Sequence, residues 1–504
     1  MGGAVRRFNA SGFRTPGGKP IWVNALALES SRCVDETLAG HHQPDIISLT
    51  SSSSVAWANE RARARNLQPL LGDTVSLARS PLVIAMWKPL ANAMGYGRRP
   101  LGWNDLRELA TDSRGWGKYG LPAYGRFKLG HNSPFSSSEG LLAVLAETYA
   151  GAGAQNALSA ADVQSTATGR FVGDLEKSIV AYGDTSASLN WTFASGGPKA
   201  MNAALLFESQ VYGANRHLGK AEIVAIYPRE GTLFCDHPAG VVNRGWVTPE
   251  RHDAASQFLQ FLRAPEEQSH AVETGLRPAD PGAAMGAPFD SEHGLDPAAS
   301  LRAFPAPGPN ETKAAVSLWH AQRKPADVLV VFDDGGAISE RRLHAAMCSG
   351  LKEFVSRARS GDSLAMLPTN RDRQYLLKAQ PLGPRRDAAN AAIDGMLATG
   401  DDSVYDSLLS GYNELAARDE PDVLQSIVVV DTDEDLQSST HLEDFLKKLQ
   451  LDHARHPIAV YTIQFTQSAP IGPLQSISSL TGGRTFQAAP ESFDSVCRVV
   501  SQYL

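Results

Sequence analysis

The sequence predicts an α/β protein built in two successive blocks, and three observations carry this. Apolar runs of strand length alternate with segments of helical period over most of the 504 residues. The alternation breaks at residues 277–309, which are rich in Pro, Gly and Ala and hold no lasting period. From residue 327 it resumes with runs that are apolar almost throughout, as expected for a doubly wound parallel sheet covered by helices on both faces.

In the first block, KPIWVNALAL (19–28) is a candidate strand, and PDIISLTS (44–51) is another that ends in a serine run. SPLVIAMW (80–87), bounded by Ser-Pro and Lys-Pro, reads as a buried strand, and RFKLGHN (126–132) precedes a loop. SSEGLLAVLAETYAGAG (137–153) has serines at its start and glycine at its end, the punctuation of a helix. Strands follow at 221–228 and 237–243. Two helices then share residues 248–275: Thr248 caps Pro249 at the first helical position, and Pro265 restarts the chain.

The second block places strands at 328–332, 363–368, 426–431 and 458–465, with helices near 339–359, 387–397, 403–417, 440–449, 472–481 and 491–503. Ligands of such folds sit beyond the carboxyl ends of the strands. The residues there are Asp333, Asp334, Pro368, Thr369, Asp431, Thr432 and Asp433.

Composition excludes several classes. The apolar fraction of 42% and charged fraction of 20% are those of folded globular domains. A net charge of −7 without a basic run gives no case for nucleic acid. The 4 cysteines form no CxxC pair, so a thiolate zinc site and a disulfide framework are both disfavoured. No apolar run reaches the length of a signal peptide at the start or of a transmembrane helix anywhere. No GxSxG, HExxH, Walker A or GxGxxG motif occurs, so a hydrolase in the first block has no motif behind it.

The segments DDGGAIS, DDSVYDSLLSGYNELAA, VVVDTDED and PIAVYTIQFT…ISSLTGGRTFQA occur in the order of a von Willebrand factor A (VWA) domain, and the chain from 324 to 504 resembles that family. The resemblance implies a Rossmann-like sheet that binds a protein partner. It also implies a Mg²⁺ site made of Asp-x-Ser-x-Ser, a loop threonine and a second aspartate, with one position left for a partner's carboxylate. Here Asp333 and Asp433 match the aspartates, Gly335 and Ala337 replace both serines, and the threonine position falls at Asp402. Mg²⁺ demands near-octahedral oxygen coordination. The expectation is therefore a degenerate motif at Asp333, Asp402 and Asp433 that holds no metal, and no cofactor.

The segments ARSPLVIAMWKPLANAMGY, FKLGHNSPFSSSEGLLAV, SIVAYGDT, VAIYPREGTLFCDHP and TGLRPADPGAAMGAPFD resemble bacterial periplasmic solute-binding proteins fused to a VWA domain. The resemblance implies two α/β lobes around a cleft over residues 1–290, a Pro/Gly/Ala-rich connector at 291–323 and the VWA domain at 324–504. The family usually begins with an export signal and a first strand, whereas this chain opens at AVRRFN, which reads as the helix after that strand. A misplaced start, a truncation and a decayed domain all give this pattern. The family expectation is a location outside the cytoplasm or in the cell envelope; the sequence as it stands, without a signal, would be cytoplasmic.

Serines at helix starts can hold a small-molecule or oxyanion ligand through free N–H groups, the helix dipole and their hydroxyls. Ser51 and Ser52 precede one helix, and Ser136 and Ser137 another. Their plainer role is N-capping. Glu139 beside the second pair opposes an anion, whereas Asp184 suits a hydroxyl or amine. Tyr227 stands at a strand end as a donor or as hinge packing. His131 and His237 are read as structural hydrogen bonders, because no nucleophile accompanies them. The functional expectation is non-catalytic: solute capture or sensing by the first part, coupled to protein–protein contact by the second. The alternative is an adhesion or scaffold protein with a vestigial solute-binding domain.

Overall fold

The computed structural model describes residues 1–183, 185–299, 301–369, 373–398, 402–418, 420, 422–435, 437–452, 458–466 and 468–501. Its strands form three sheets. The small first sheet runs Ile46–Ser48, Pro238–Val241, Val75–Ser76, all antiparallel. One core with Val34, Ile47, Leu49 and Leu71 and another with Phe8, Ile21, Phe258 and Leu262 belong to this unit.

The second sheet is centred on the ten-residue strand Ala78–Trp87, buried along nearly its whole length. Ala203–Phe207 pairs antiparallel to it, and Leu129–Asn132 and Ile179–Gly183 extend the sheet in parallel to its outer edge. The chain crosses between the two sheets three times, from Val75–Ser76 into Ala78–Trp87, from Phe234–Cys235 into Pro238–Val241, and back from there to Arg277–Pro278, which pairs antiparallel with Ala78–Trp87. Cys235 lies opposite Ser80, so the first two crossings run side by side. Separate cores joined by these crossings make two lobes on a hinge, as the resemblance implied.

Residues 19–28 correct one expectation. They form no ladder; Pro20 makes an isolated bridge to Arg14 and lacks the N–H a strand needs. The Asn9 side chain pairs both backbone groups of Val23 instead, at 2.9 and 2.8 Å, while Trp22 stays exposed.

The third sheet is parallel throughout, in the order Ser363–Pro368, Ala326–Phe332, Leu424–Asp431, Ala459–Gln464, Thr485–Gln487. Val328, Val330 and Phe332 pack with Met347, Phe354 and Phe493 on one face, and Leu329 and Val331 with Leu408, Tyr412 and Phe445 on the other. Helices therefore cover both faces of a doubly wound, Rossmann-like sheet.

The connector is a second correction. Residues 309–322 are not irregular: Gly308 and Pro309 start a helix, Pro309–Gln322, whose buried Ala315 and Trp319 are one turn apart. It lies on helices Ser138–Ala152, Ala160–Gln164 and Thr166–Glu176. Its far end is held from the C-terminal part, where the Arg359 guanidinium donates to the carbonyls of His320 and Arg323, both at 2.9 Å. The buried Lys324 ammonium donates to the Ile179 carbonyl at 2.7 Å, on the outer strand of the second lobe.

Candidate functional site

Two places gather the residues singled out by sequence: the hinge between the lobes, and the carboxyl edge of the third sheet.

At the hinge, Ser51 is the N-cap of helix Ser52–Arg63 and accepts from the Ser54 N–H at 3.3 Å. Ser52 donates both its backbone N–H, at 2.9 Å, and its hydroxyl to the Asp236 carboxylate. The anion at this helix start is thus the chain's own. Beside it the Cys235 thiol lies 2.9 Å from the Thr50 carbonyl and 3.1 Å from His237 Nε2. Burial pushes the Cys235 thiol well above, and the His237 imidazole below, their ordinary values. A buried thiol beside a neutral ring is not an activated nucleophile.

On the second lobe, Ser137 caps helix Ser138–Ala152 through the Glu139 N–H at 3.1 Å, and the buried Ser136 hydroxyl donates to the Ser133 carbonyl at 3.3 Å. A Cβ at Gly140 would lie 2.2 Å from the Asn132 carbonyl, so only glycine lets this helix start against the end of strand Leu129–Asn132. Glu139 is fully buried, accepts from the Phe207 N–H at 2.8 Å and from the Asn132 amide, and is pushed up to about 7 by that burial. Asp184 lies outside the described residues. Its neighbour Thr185 caps helix Ser186–Ala200. Tyr227 does not present a free hydroxyl: it donates to Glu208 at 2.5 Å, and Glu208 also pairs with Arg277 at 2.7 Å.

At the edge of the third sheet, Asp333 follows strand Ala326–Phe332 and accepts the Gly335 N–H at 2.7 Å, which closes a tight turn. The Thr432 hydroxyl donates to its other oxygen, and the Thr369 hydroxyl stands 3.4 Å away. Sequence reasoning placed these threonines at the sheet edge without a role; both are fully buried and face the carboxylate. Carboxylate oxygens of Asp333, Asp402 and Asp433 lie within 4.8 Å of one another. Neither oxygen of Asp402 has a donor, so its contact with Asp433 requires a shared proton. Burial first, then the neighbouring carboxylates, push Asp402 up to about 10, Asp431 to about 8 and Asp333 to about 6.

The donor set does not fit the hydroxyl-based ion site of the VWA family. Glycine and alanine stand at 335 and 337, and the position of the family threonine carries a carboxyl. Ser403 does not replace it, because its hydroxyl donates to the Thr369 carbonyl at 2.6 Å.

A sequence model of the family described as bacterial extracellular solute-binding protein matches residues 23–277, half of the chain, and the chain belongs to that family. A protein of Mycobacterium tuberculosis described as uncharacterized, matched in two strains, is 25% identical over 467 residues; these make up 88% of this chain and 64% of that relative's length. Among solved structures, a periplasmic thiamin binding protein matches at 14% identity and a TM-score of 0.44, over 64% of this chain and 91% of its own. A ferric binding protein from Campylobacter jejuni matches at 12% identity and 0.44, over 64% and 95%. A von Willebrand factor type A structure from Catenulispora acidiphila matches at 14% identity and 0.32, over 36% and 42%.

Proposed function

We propose that this member of the solute-binding family captures a small neutral or cationic solute between its lobes, without catalysis, and presents a protein-binding surface through its VWA-like part. The lobed unit then ends near residue 290 and the VWA-like unit begins near 324. The observation that carries the coupling is the junction: Lys324 on the Ile179 carbonyl and Arg359 on the end of helix Pro309–Gln322 tie the third sheet to the second lobe. Any hinge motion of that lobe moves the C-terminal part with it.

The chemistry of the hinge supports the choice of solute. Asp236 already fills one helix start, and Glu139 is an acid at the other. An oxyanion would find the N–H groups at the first helix start taken by Asp236 and the Ser136 and Ser137 hydroxyls at the second engaged within the chain, which leaves a neutral or cationic solute. The buried Cys235–His237 pair supplies no nucleophile, in keeping with a binding role. Family membership supports work outside the cytoplasm, which fractionation of a native host would test.

The experiment is calorimetry of the full chain against amines, polyols and oxyanions, followed by hydrogen exchange with the ligand found. Binding of an amine or polyol, with altered protection both at the hinge and beyond residue 324, is expected. Protection confined to the lobes removes the coupling. The second reading, a scaffold with a vestigial solute site, is favoured by the Ser52–Asp236 contact, which closes one helix start with an internal anion. It is adopted if no solute shifts the melting temperature.

A further inference from the structure

One buried cluster among the described residues serves neither the hinge nor the acidic edge. His131, Glu147 and Glu176 are all fully buried, and their ligand atoms lie within 4.8 Å of one another. They come from strand Leu129–Asn132, helix Ser138–Ala152 and helix Thr166–Glu176. Helix Pro309–Gln322 closes over them with Trp319, whose ring centroid is 6.3 Å from that of His131 and 5.3 Å from that of Tyr182.

The orientation of the imidazole is the informative feature. His131 Nδ1 lies 2.7 Å from the Asn132 carbonyl, which can only accept, so Nδ1 carries the hydrogen. In the neutral ring Nε2 then points a lone pair at Glu176 Oε1, 3.0 Å away. A lone pair facing a carboxylate repels it unless something positive lies between or beside them. Glu147 repeats the problem, because both of its buried oxygens lack a donor. Burial, then the charge of Glu176, and a carboxyl–carboxyl contact with Glu176 that itself needs a proton or a cation, push its carboxyl well above the usual range. The buried Arg323 guanidinium hydrogen-bonds the Lys324 carbonyl, at 3.1 Å, and Asp362, at 3.4 Å; its charge and that of Lys324 act on Glu176, but neither hydrogen-bonds the cluster.

Two arrangements neutralise the cluster: two protons, as imidazolium and carboxylic acid, or one divalent cation. The geometry admits the cation. The 3.0 Å between His131 Nε2 and Glu176 is that of an N–H···O hydrogen bond and also that of two ligands about 2.1 Å from one ion at the right angle of an octahedral site, so the distance admits either arrangement and the unpartnered oxygens of Glu147 favour the ion. An Nδ1–H held by a backbone carbonyl is the orientation that metal-binding histidines adopt. The Tyr182 hydroxyl donates to the second oxygen of Glu176 and fixes that carboxylate. One imidazole with two carboxylates suits Zn²⁺, Mn²⁺ or Fe²⁺.

We propose that His131, Glu147 and Glu176 form a structural site for one divalent transition-metal ion, which locks the second lobe beneath helix Pro309–Gln322. The site is closed, so metal enters during folding. The full chain is unfolded with chelator and refolded with or without Zn²⁺ or Mn²⁺. Bound metal is counted after exchange, and melting is compared. One retained equivalent and a melting temperature higher by on the order of 5 °C are expected. Glu147→Gln should lose the equivalent, and Asp402→Asn, at the separate acidic edge, should keep it. Refolded wild-type chain that retains no metal and melts the same either way overturns the proposal, and two protons then occupy the cluster. Retention by Glu147→Gln also overturns it. If that variant fails to fold, the wild-type comparison decides alone.

Discussion

Ser52 gives its backbone N–H and its hydroxyl to the carboxylate of Asp236, across the crossing between the lobes. The start of a helix attracts anions through its free N–H groups and its dipole, and here an internal anion fills that position. The serine run was legible in the sequence as a place where negative charge would sit. Which negative charge was not legible, because Asp236 is 184 residues away in the chain.

Removing that carboxylate should therefore create an anion site. Wild-type protein is expected to bind sulfate, phosphate or molybdate no more tightly than the micromolar range. Asp236→Ala should bind at least one of them tenfold or more tightly, because the N–H groups at Ser52 lose their partner. Calorimetry on both proteins checks this. Nanomolar binding by the wild type would show a complete oxyanion cleft elsewhere in the lobes.

Glu139 sets a pH dependence. Its carboxyl titrates at about 7 in the fold, above the ordinary 4.5, because it is buried. A raised carboxyl favours the folded state only while it is protonated. The stability it permits is fully present below about pH 4.5 and is lost as the pH rises through 7. The shift corresponds to about 3 kcal/mol over that window. Glu139→Gln keeps the shape and removes the titration, so its stability relative to wild type should rise from pH 5 to pH 8 in chemical denaturation. Parallel curves across that range would mean that Glu139 stays ionised in the fold.

Proteolysis tests the division of the chain, and the structure narrows the expected cut within residues 277–323. Residues 302–305 are pinned: Thr232 donates its N–H to the Arg302 carbonyl and accepts from the Phe304 N–H, and Tyr149 stacks on Phe304. Helix Pro309–Gln322 is docked as well. The exposed run is 280–287, so a nonspecific protease should cut there first. The C-terminal piece should keep helix Pro309–Gln322. A first cut after residue 327 would place the boundary wrongly.

Legibility followed the source of each element's stability. Four strands of the third sheet were readable because their apolar runs are the signal itself, whereas the edge strand Thr485–Gln487 carries no such run and was missed. The central strand Ala203–Phe207 was missed. Two of its five residues are alanines with little strand preference, and its partners Ala78–Trp87 and Leu129–Asn132 are distant in sequence. Helix Pro309–Gln322 was hidden by the Pro- and Gly-rich stretch before it, although Gly308-Pro309 is a helix start. His131 was read as a structural hydrogen bonder; its contact with Glu176, 45 residues on, and the presence of Glu147 needed the fold.

The last prediction concerns the edge of the third sheet. Three carboxylates converge there, and the hydroxyls that would face an ion are missing at 335, 337 and 402. Thr432 and Thr369 have hydroxyls nearby, but they face Asp333. Near neutral pH the Asp402 carboxyl, pushed up to about 10, holds a proton where a cation would otherwise stand. Wild-type protein is therefore expected to show no Mg²⁺ isotherm at millimolar concentration, and partner binding should be insensitive to chelator. Gly335→Ser, Ala337→Ser and Asp402→Thr together restore the three hydroxyls and remove the proton-holding acid. Mg²⁺ binding should appear in that triple variant and disappear when Asp333→Ala is added. With the two serines alone, affinity should be weaker at pH 6 than at pH 9, because Asp402 must release its proton before an ion can enter. A wild-type isotherm that Asp333→Ala abolishes would mean that the carboxylates hold the ion without hydroxyl help. A triple variant that stays silent would mean that the loops have moved too far apart to close an octahedron.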